Sequence, residues 1–219
     1  MGSVFKVITP PSSEPITLSN VKDWLNIDFS SKDTLISNLI TRARSYAETV
    51  TGRALATQQI QQIDTIARPD GGVLSGPIKP GPNWYVYNEQ LGANPFGPAQ
   101  YYHDLSMPPI QSSKTISVQT KITAFDDWVD FDLTSHQTWI DDTSEPARMY
   151  FQDPITANFW KFVYWTGYDA TYSYEIAPDI LQAVYELVSY WYDYRDGGGD
   201  SDRLRQIQAK LLAKRVIWA

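Results

Sequence analysis

The stretch Ala177-Pro178-Asp179-Ile180-Leu181-Gln182-Ala183-Val184-Tyr185-Glu186-Leu187-Val188-Ser189-Tyr190-Trp191-Tyr192-Asp193-Tyr194-Arg195 decides how the rest of the chain is read. Ile180, Leu181, Val184, Leu187, Val188 and Trp191 recur at helical spacing and form one apolar stripe. Pro178 suits a first helical turn, where its missing N–H costs nothing, and Asp179 complements the positive helix end. Tyr185, Tyr190, Tyr192 and Tyr194 flank the stripe, so the helix is expected to meet neighbours on more than one side. Gly197-Gly198-Gly199 follow and are expected to end it, because glycine tolerates the left-handed conformation of a helix C-cap. Such a helix is the spine of a core and needs partners.

Two partners lie upstream. Thr17 can cap a short helix to about Asn26, with Leu18, Val21, Trp24 and Leu25 on one side. Ser30 and Asp33 form a capping-box pattern before a longer helix whose stripe is Leu35, Ile36, Leu39, Ile40, Ala43, Tyr46, Ala47 and Val50. Gly52 stops that helix. Residues 1–15 are polar and proline-rich and read as an extended arm. A last helix is expected from about Asp202.

Between the helical flanks the period changes. Gln58 to Asp64 alternates weakly, as a strand does. Residues 69–98 hold six glycines and six prolines, too many breakers for regular structure, and a loop of that length is usually functional or mobile. Strands are expected at Thr115–Ile122, Trp128–Leu133, Gln137–Asp141 and Arg148–Phe151. Phe159–Thr166 is almost wholly aromatic and aliphatic and is expected at the centre of a sheet, ended by Gly167. The fold class is therefore α+β: a helical bundle of about four helices with an antiparallel β-rich insertion between the second and third long helices. The expected organisation is an N-terminal helical part (1–55), a β-rich insertion with the long Gly/Pro loop (56–168), and C-terminal helices and tail (169–219) that pack with 1–55 as one helical domain.

Composition narrows the function. A chain of 219 residues can bury roughly two-thirds of its unfolded surface, enough for one domain with an elaborated insertion. Cysteine is absent, which excludes disulfides and thiolate metal sites. Residues 1–9 lack the apolar run of a signal peptide, and no stretch reaches bilayer-spanning length, so a soluble protein is expected. The net charge of −7 opposes a nonspecific grip on nucleic acid, which depends on Lys and Arg displacing counterions. That charge is uneven. Eight acids (Asp126, Asp127, Asp130, Asp132, Asp141, Asp142, Glu145, Asp153) face Arg148 alone, whereas Arg203, Arg205, Lys210, Lys214 and Arg215 oppose only Asp200 and Asp202. One acidic surface and one basic tail are expected to meet different neighbours.

Catalytic patterns fare poorly. His103 and His136 are the only histidines, and they do not stand at ligand spacing. The pairs Asp126-Asp127 and Asp141-Asp142, beside Trp128 and Trp139, resemble a glycosidase dyad, but an ordinary polar strand face explains them with less. Residues 196–202 lack the ligand order and closing glutamate of a calcium loop. No Gly-x-Ser-x-Gly elbow appears. Trp84, Tyr85, Tyr87, Tyr101 and Tyr102 could stack sugars or bases, though burial in a core or interface suits them better. No catalytic, cofactor-binding or metal-binding residue is assigned, no cofactor is expected, and the chain does not read as an enzyme.

The order of short motifs carries more. Ile16-Thr17-Leu18 opens a short helix, and a long helix closes on Thr51-Gly52-Arg53-Ala54-Leu55 followed by Thr57-Gln58. Met107-Pro108-Pro109-Ile110 leads into a strand, and Tyr164-Trp165-Thr166-Gly167-Tyr168 precedes Ala177-Pro178. Trp191-Tyr192 to Arg195, then Leu211-Leu212 and Arg215-Val216, complete the series. Together these resemble the head–tail connector (adaptor) proteins of tailed double-stranded DNA bacteriophages. One departure stands out: the family usually carries a Pro-aromatic pair before the last arginine, where this chain has Ala213-Lys214.

The resemblance implies a structural role. It implies a homo-oligomeric ring of about twelve copies that docks on the portal protein, extends the DNA channel and offers a surface to the tail or to a stopper or tail-completion protein. DNA would pass through without specific binding, no membrane would be involved, and the protein would sit at the head–tail junction of the virion after assembly in the host cytoplasm. A DNA channel should be acidic or neutral, so Asp126, Asp127, Asp130 and Asp132 are the channel-facing candidates. The terminal residues Leu211, Leu212, Arg215, Val216 and Trp218 are the portal-contact candidates, an amphipathic stretch entering a groove. Deleting 211–219 is then expected to abolish docking and leave the fold intact. The alternatives are a β-rich carbohydrate-binding module, another virion or baseplate component, or, third, a hydrolase.

Overall fold

The computed structural model describes residues 2–65, 101–136, 138–151, 157–169, 175–195 and 199–216. These contain four helices and eight strands in antiparallel sheets, an α+β fold as expected. They fall into two compact units: the described residues of 10–58 and 166–216 form one, and those of 2–9 and 59–165 form the other.

The first unit is helical, with α1 (Leu18–Leu25), α2 (Asp33–Thr51), α3 (Pro178–Asp193) and α4 (Ser201–Leu212). Its core is aliphatic. Ile36, Leu39, Ile40, Ala43 and Ala47 of α2 meet Ile180, Val184, Leu187 and Val188 of α3, closed by Val21, Leu55, Ile207 and Leu211. Local signals set the helix ends. The Thr17 hydroxyl accepts the Asn20 amide at 3.2 Å, and Asn26 adopts the left-handed conformation at φ 55°. Gly52 ends α2 at φ 70°. Asp200 caps α4 by accepting the amides of Asp202 and Arg203.

Two helix ends differ from the expectation. The capping box at Ser30 and Asp33 does not form: the N-cap of α2 is Lys32, with no side-chain cap bond. Asp33 is instead held at 2.8 Å by Lys22 of α1, and that ion pair competes for the carboxylate. The spine helix α3 ends at Tyr194 (φ −112°), whose amide still bonds Tyr190, and not on a left-handed glycine. Gly197 and Gly198 lie outside the described residues.

The β unit contains β1 (Gly2–Thr9), β2 (Gln58–Thr65), β3 (Tyr101–Leu105), β4 (Ser117–Lys121), β5 (Val129–Asp130), β6 (Thr138–Asp141), β7 (Ala147–Phe151) and β8 (Phe159–Thr166). One sheet has the order β1-β2-β8-β4-β5 and the other β3-β7-β6. β8 is central, as its apolar run demands. Its alternation turns Trp160, Phe162 and Tyr164 inward. Rings of the second sheet meet them, His103 at 4.7 Å and Phe151 at 5.2 Å from Trp160 between centroids.

Several strand readings change, and β3 stands at Tyr101–Leu105 where none was expected. The N-terminal arm is strand β1, paired with β2 from Gly2↔Thr65 to Thr9↔Gln59. Trp128–Leu133 shrinks to the two residues of β5, because the Asp132 carboxylate accepts the Thr134 amide at 2.9 Å and turns the chain. The strand expected at Thr115–Ile122 is β4, Ser117–Lys121, and Ile122 beyond its end is 55% exposed. The loop expected at 69–98 lies outside the described residues. Gly167 ends β8 at φ +102°, where an added Cβ would come within 2.1 Å of the Ala56 carbonyl oxygen. Among the described residues no helix is long and apolar enough to cross a membrane.

Candidate assembly surfaces

The acidic segment is built from turns. The Thr123 amide donates to Asp126 at 2.6 Å, and the Thr134 and Ser135 amides donate to Asp132 at 2.9 and 3.4 Å. The Thr143 amide and hydroxyl donate to Asp141 at 3.0 and 2.7 Å. Asp142 accepts from the Ser112 hydroxyl. Asp126, Asp132 and Asp141 each accept a nearby backbone amide, a reach that suits aspartate better than glutamate. The Thr123 amide holds Asp126 below the usual carboxylate range, the Thr134 amide does so for Asp132, and the Thr143 hydroxyl for Asp141. All three are ionised at neutral pH. Asp126, Asp127, Asp130 and Asp132 are exposed, and Asp130 accepts from the Gln119 amide group at 2.7 Å. The structure thus brings the four channel-facing candidates onto β5 and the turns on either side of it.

The portal-contact candidates divide. Leu211 is fully buried in the helical core and Val216 is 2% exposed. The Val216 amide donates to the Thr51 carbonyl at 2.8 Å, and Arg53 donates through Nε to the Lys214 carbonyl at 2.9 Å. Residues 211–216 are therefore part of the helical unit, and a deletion from Leu211 removes core side chains. That corrects the expectation that such a truncation would leave the fold intact. Leu212 and Arg215 are exposed, and Trp218 lies outside the described residues. Beside α4, Arg42, Tyr46, Trp191 and Leu204 line a shallow groove of about 450 Å³, with the Arg42 guanidinium 4.2 Å from the Trp191 ring centroid.

Buried polar side chains serve the fold. In the helical unit the Arg44 guanidinium binds Glu14 and Glu48, each at 2.7 Å, and Glu48 also accepts the Leu55 amide at 2.8 Å and Gln58 Nε2 at 3.2 Å. Burial nonetheless raises the Glu48 pKa, against the Arg44 charge that lowers it. In the β unit Gln62 Nε2 donates to Asp64 at 2.9 Å and to the Asp104 carbonyl at 2.8 Å. Gln62 Oε1 lies 2.8 Å from the Ser106 amide and 2.7 Å from the Tyr164 hydroxyl. His103 Nδ1 is 2.9 Å from Asp64. These groups join β2, β3 and β8.

The residues weighed for chemistry fall elsewhere. His136 stacks on Phe131 at 4.6 Å. Trp128, beside the suspected acid pair, is covered by the Lys161 and Lys121 ammonium groups at 4.5 and 5.0 Å from its centroid. Trp84, Tyr85 and Tyr87 lie outside the described residues, as does the side chain of Tyr101. Tyr102 packs on Tyr150 at 5.5 Å. Among the described residues no three His, Asp or Glu side chains are grouped to hold a metal ion.

One surface went unread in the sequence: β1, where Val4, Phe5, Val7 and Ile8 are 70%, 46%, 45% and 41% exposed. Its run of β-branched and aromatic residues was the available signal, overshadowed by the prolines that follow.

Comparison with known proteins places these surfaces in context. Residues 15–70 match the family model of the phage gp6-like head-tail connector proteins, a span that holds α1, α2 and β2. No curated protein matches the chain. Among solved structures, a chain from the neck of an empty GTA particle computed with C6 symmetry aligns with TM-score 0.65 and 14% identity, over 99% of this chain and 97% of that one. A chain from the virion of a native gene transfer agent (GTA) particle aligns with TM-score 0.65 and 13% identity over the same shares. A third, from the neck of a native GTA particle computed with C12 symmetry, aligns with TM-score 0.62 and 13% identity, again over 99% and 97%. The resemblance drawn from the sequence therefore holds: residues 15–70 match the phage gp6-like head-tail connector family, and the whole chain shares the fold of gene transfer agent particle proteins.

Proposed function

We propose that this protein is a structural head–tail connector that forms a ring at the neck of a phage-like particle, docked on the portal and open to a tail-side protein. The observation that carries the reading is the connector-family match over 15–70, joined to a fold shared end to end with proteins of a particle neck. The C6 and C12 symmetries of those necks favour a ring of many copies. Its place is the head–tail junction of the virion, reached by assembly in the host cytoplasm. The role is architectural: buried Arg44, Glu48, Gln62, Asp64 and Tyr164 hold strands and helices together.

The test is to mix the purified protein with the portal of the same particle and image the product. A ring capping the portal is expected; absence of any complex overturns the reading. Two surfaces have separate tasks within it. Asp126, Asp127 and Asp132 face the DNA, where repulsion of phosphate keeps the channel free of grip. Asp127→Lys with Asp126→Asn and Asp132→Asn reverses the charge of the set while keeping the turn-closing acceptors, and should slow DNA ejection. Unchanged ejection removes the channel assignment. Exposed Leu212 and Arg215 contact the portal, so Leu212→Asp with Arg215→Glu should weaken docking without unfolding the helical unit.

A further inference from the structure

The larger sheet has two ends of opposite character. Among the described residues, β1 closes one end and β5 the other. At the β1 end the exposed apolar side chains are Val4, Phe5, Val7 and Ile8, and the charge is Lys6. At the β5 end they are Ile122 (55% exposed), Phe125 (99%) and Val129 (64%), and the charge on the strand itself is Asp130. An end strand presents a row of unpaired N–H and C=O groups, and proteins that keep it unpaired usually blunt it. Here β1 keeps regular register with β2 from Gly2 to Val7, and the irregularity comes only between Val7 and Thr9.

Register puts the two charges on one face. Lys6 stands opposite Gln61 on β2, while Asp130 stands opposite Gln119, which stands opposite Lys161 on β8. The inward-facing Ile60 and Val118 occupy the alternate positions. Lys6 and Asp130 therefore mark opposite ends of the same outward face, each beside exposed apolar neighbours. A head-to-tail contact that joins unlike ends of identical copies closes into a ring when its rotation allows.

We propose that the β1 end of one copy docks on the β5 end of the next, with Lys6 against Asp130 and Phe5 and Val7 beside Val129. The occupant is a second copy of this chain, because the opposite charges and the apolar flanks stand on the two ends of one sheet. The inference rests on the ring reading above and deepens it: it takes Asp130 from the channel surface and gives it to the joint. Asp126, Asp127 and Asp132 keep their place in the turns.

Charge reversal tests the pairing on the full chain. Lys6→Glu alone and Asp130→Lys alone should each raise the concentration at which rings form, alone or on the portal, on the order of tenfold. An equimolar mixture of the two should restore rings in which the variants alternate, since every joint is then complementary. The chain has no cysteine, so a Phe5→Cys, Val129→Cys chain treated with a short bis-maleimide should give a ladder of cross-linked oligomers, and either single-cysteine chain no more than dimers. Rings from each reversed variant at the parent concentration, or a mixture that fails to restore them, overturn the joint and leave the ring reading standing. A parent chain that never forms rings, alone or on the portal, overturns both.

Discussion

The two units hold themselves together by different means. The helical unit has an aliphatic core of Ile, Leu, Val and Ala, with one buried ionic cluster at Arg44 and Glu48. The β unit has an aromatic core around Trp160 and Phe162, crossed by the Gln62, Asp64, His103 and Tyr164 bonds. In the first, shape and periodicity specify the packing. In the second, strands far apart in sequence must find the same few polar partners before any is satisfied. The family-model match over residues 15–70 takes in α1 and α2 of the first unit and β2 of the second.

The contrast can be broken most severely at Glu48. Glu48→Ala leaves the Arg44 guanidinium, the Leu55 amide and the Gln58 side chain short of their acceptor, and should cost about 3–5 kcal/mol in a denaturant melt. A cost below 1 kcal/mol would show that the ionic cluster is not what fixes the α2 terminus. In the β unit, Tyr164→Phe leaves the Gln62 Oε1 and Ser106 carbonyl acceptors without the hydroxyl at 2.7 and 3.0 Å, and should cost about 1–3 kcal/mol. If the two units melt separately, only the β transition should move. Thr17→Ala removes the α1 cap and should cost about 1 kcal/mol. Hydrogen exchange at the first amides of α1 reports it directly.

The gentlest probe is pH, and buried Glu48 and the turn-closing aspartates answer it with opposite sign. Glu48 has a folded-state pKa raised by burial, so its contribution favours the fold below the unfolded value and is lost as pH rises through the raised one. Relative to Glu48→Gln, the native chain should gain stability as pH falls from 7 toward 4. Asp126, Asp132 and Asp141 are lowered by the Thr123 amide, the Thr134 amide and the Thr143 hydroxyl respectively. Their contribution is present above the unfolded carboxylate value and is lost as pH falls through the lowered ones. Acid titration should show a larger loss in the native chain than in an Asp132→Asn variant, which retains only the Asp126 and Asp141 contributions.

Legibility in the sequence follows the same divide. The helices were readable because 3.6-residue periodicity and the signals at Thr17 and Gly52 are local. β8 was readable because its run is aromatic and aliphatic apart from Lys161 and Thr166. β3 was not, because Tyr-Tyr-His-Asp-Leu looks solvated until His103 finds Asp64, 39 positions away. The extent of β5 was misjudged because Asp132 reads as a strand's polar face when it closes a turn. At the surfaces, the clustering of acids was visible, but their work in turns was not. The tail's apolar residues were visible too, yet an amphipathic pattern does not say whose core it enters: Leu211 and Val216 enter their own.

The close approach of Gly167 to the Ala56 carbonyl has a use beyond the fold. At 14% identity, pairing residues between this chain and its structural neighbours is ambiguous over long stretches. A position where a single carbon would collide at 2.1 Å with main chain leaves selection almost no latitude, so it offers a landmark from which correspondence can be counted outward into β8 and toward α3.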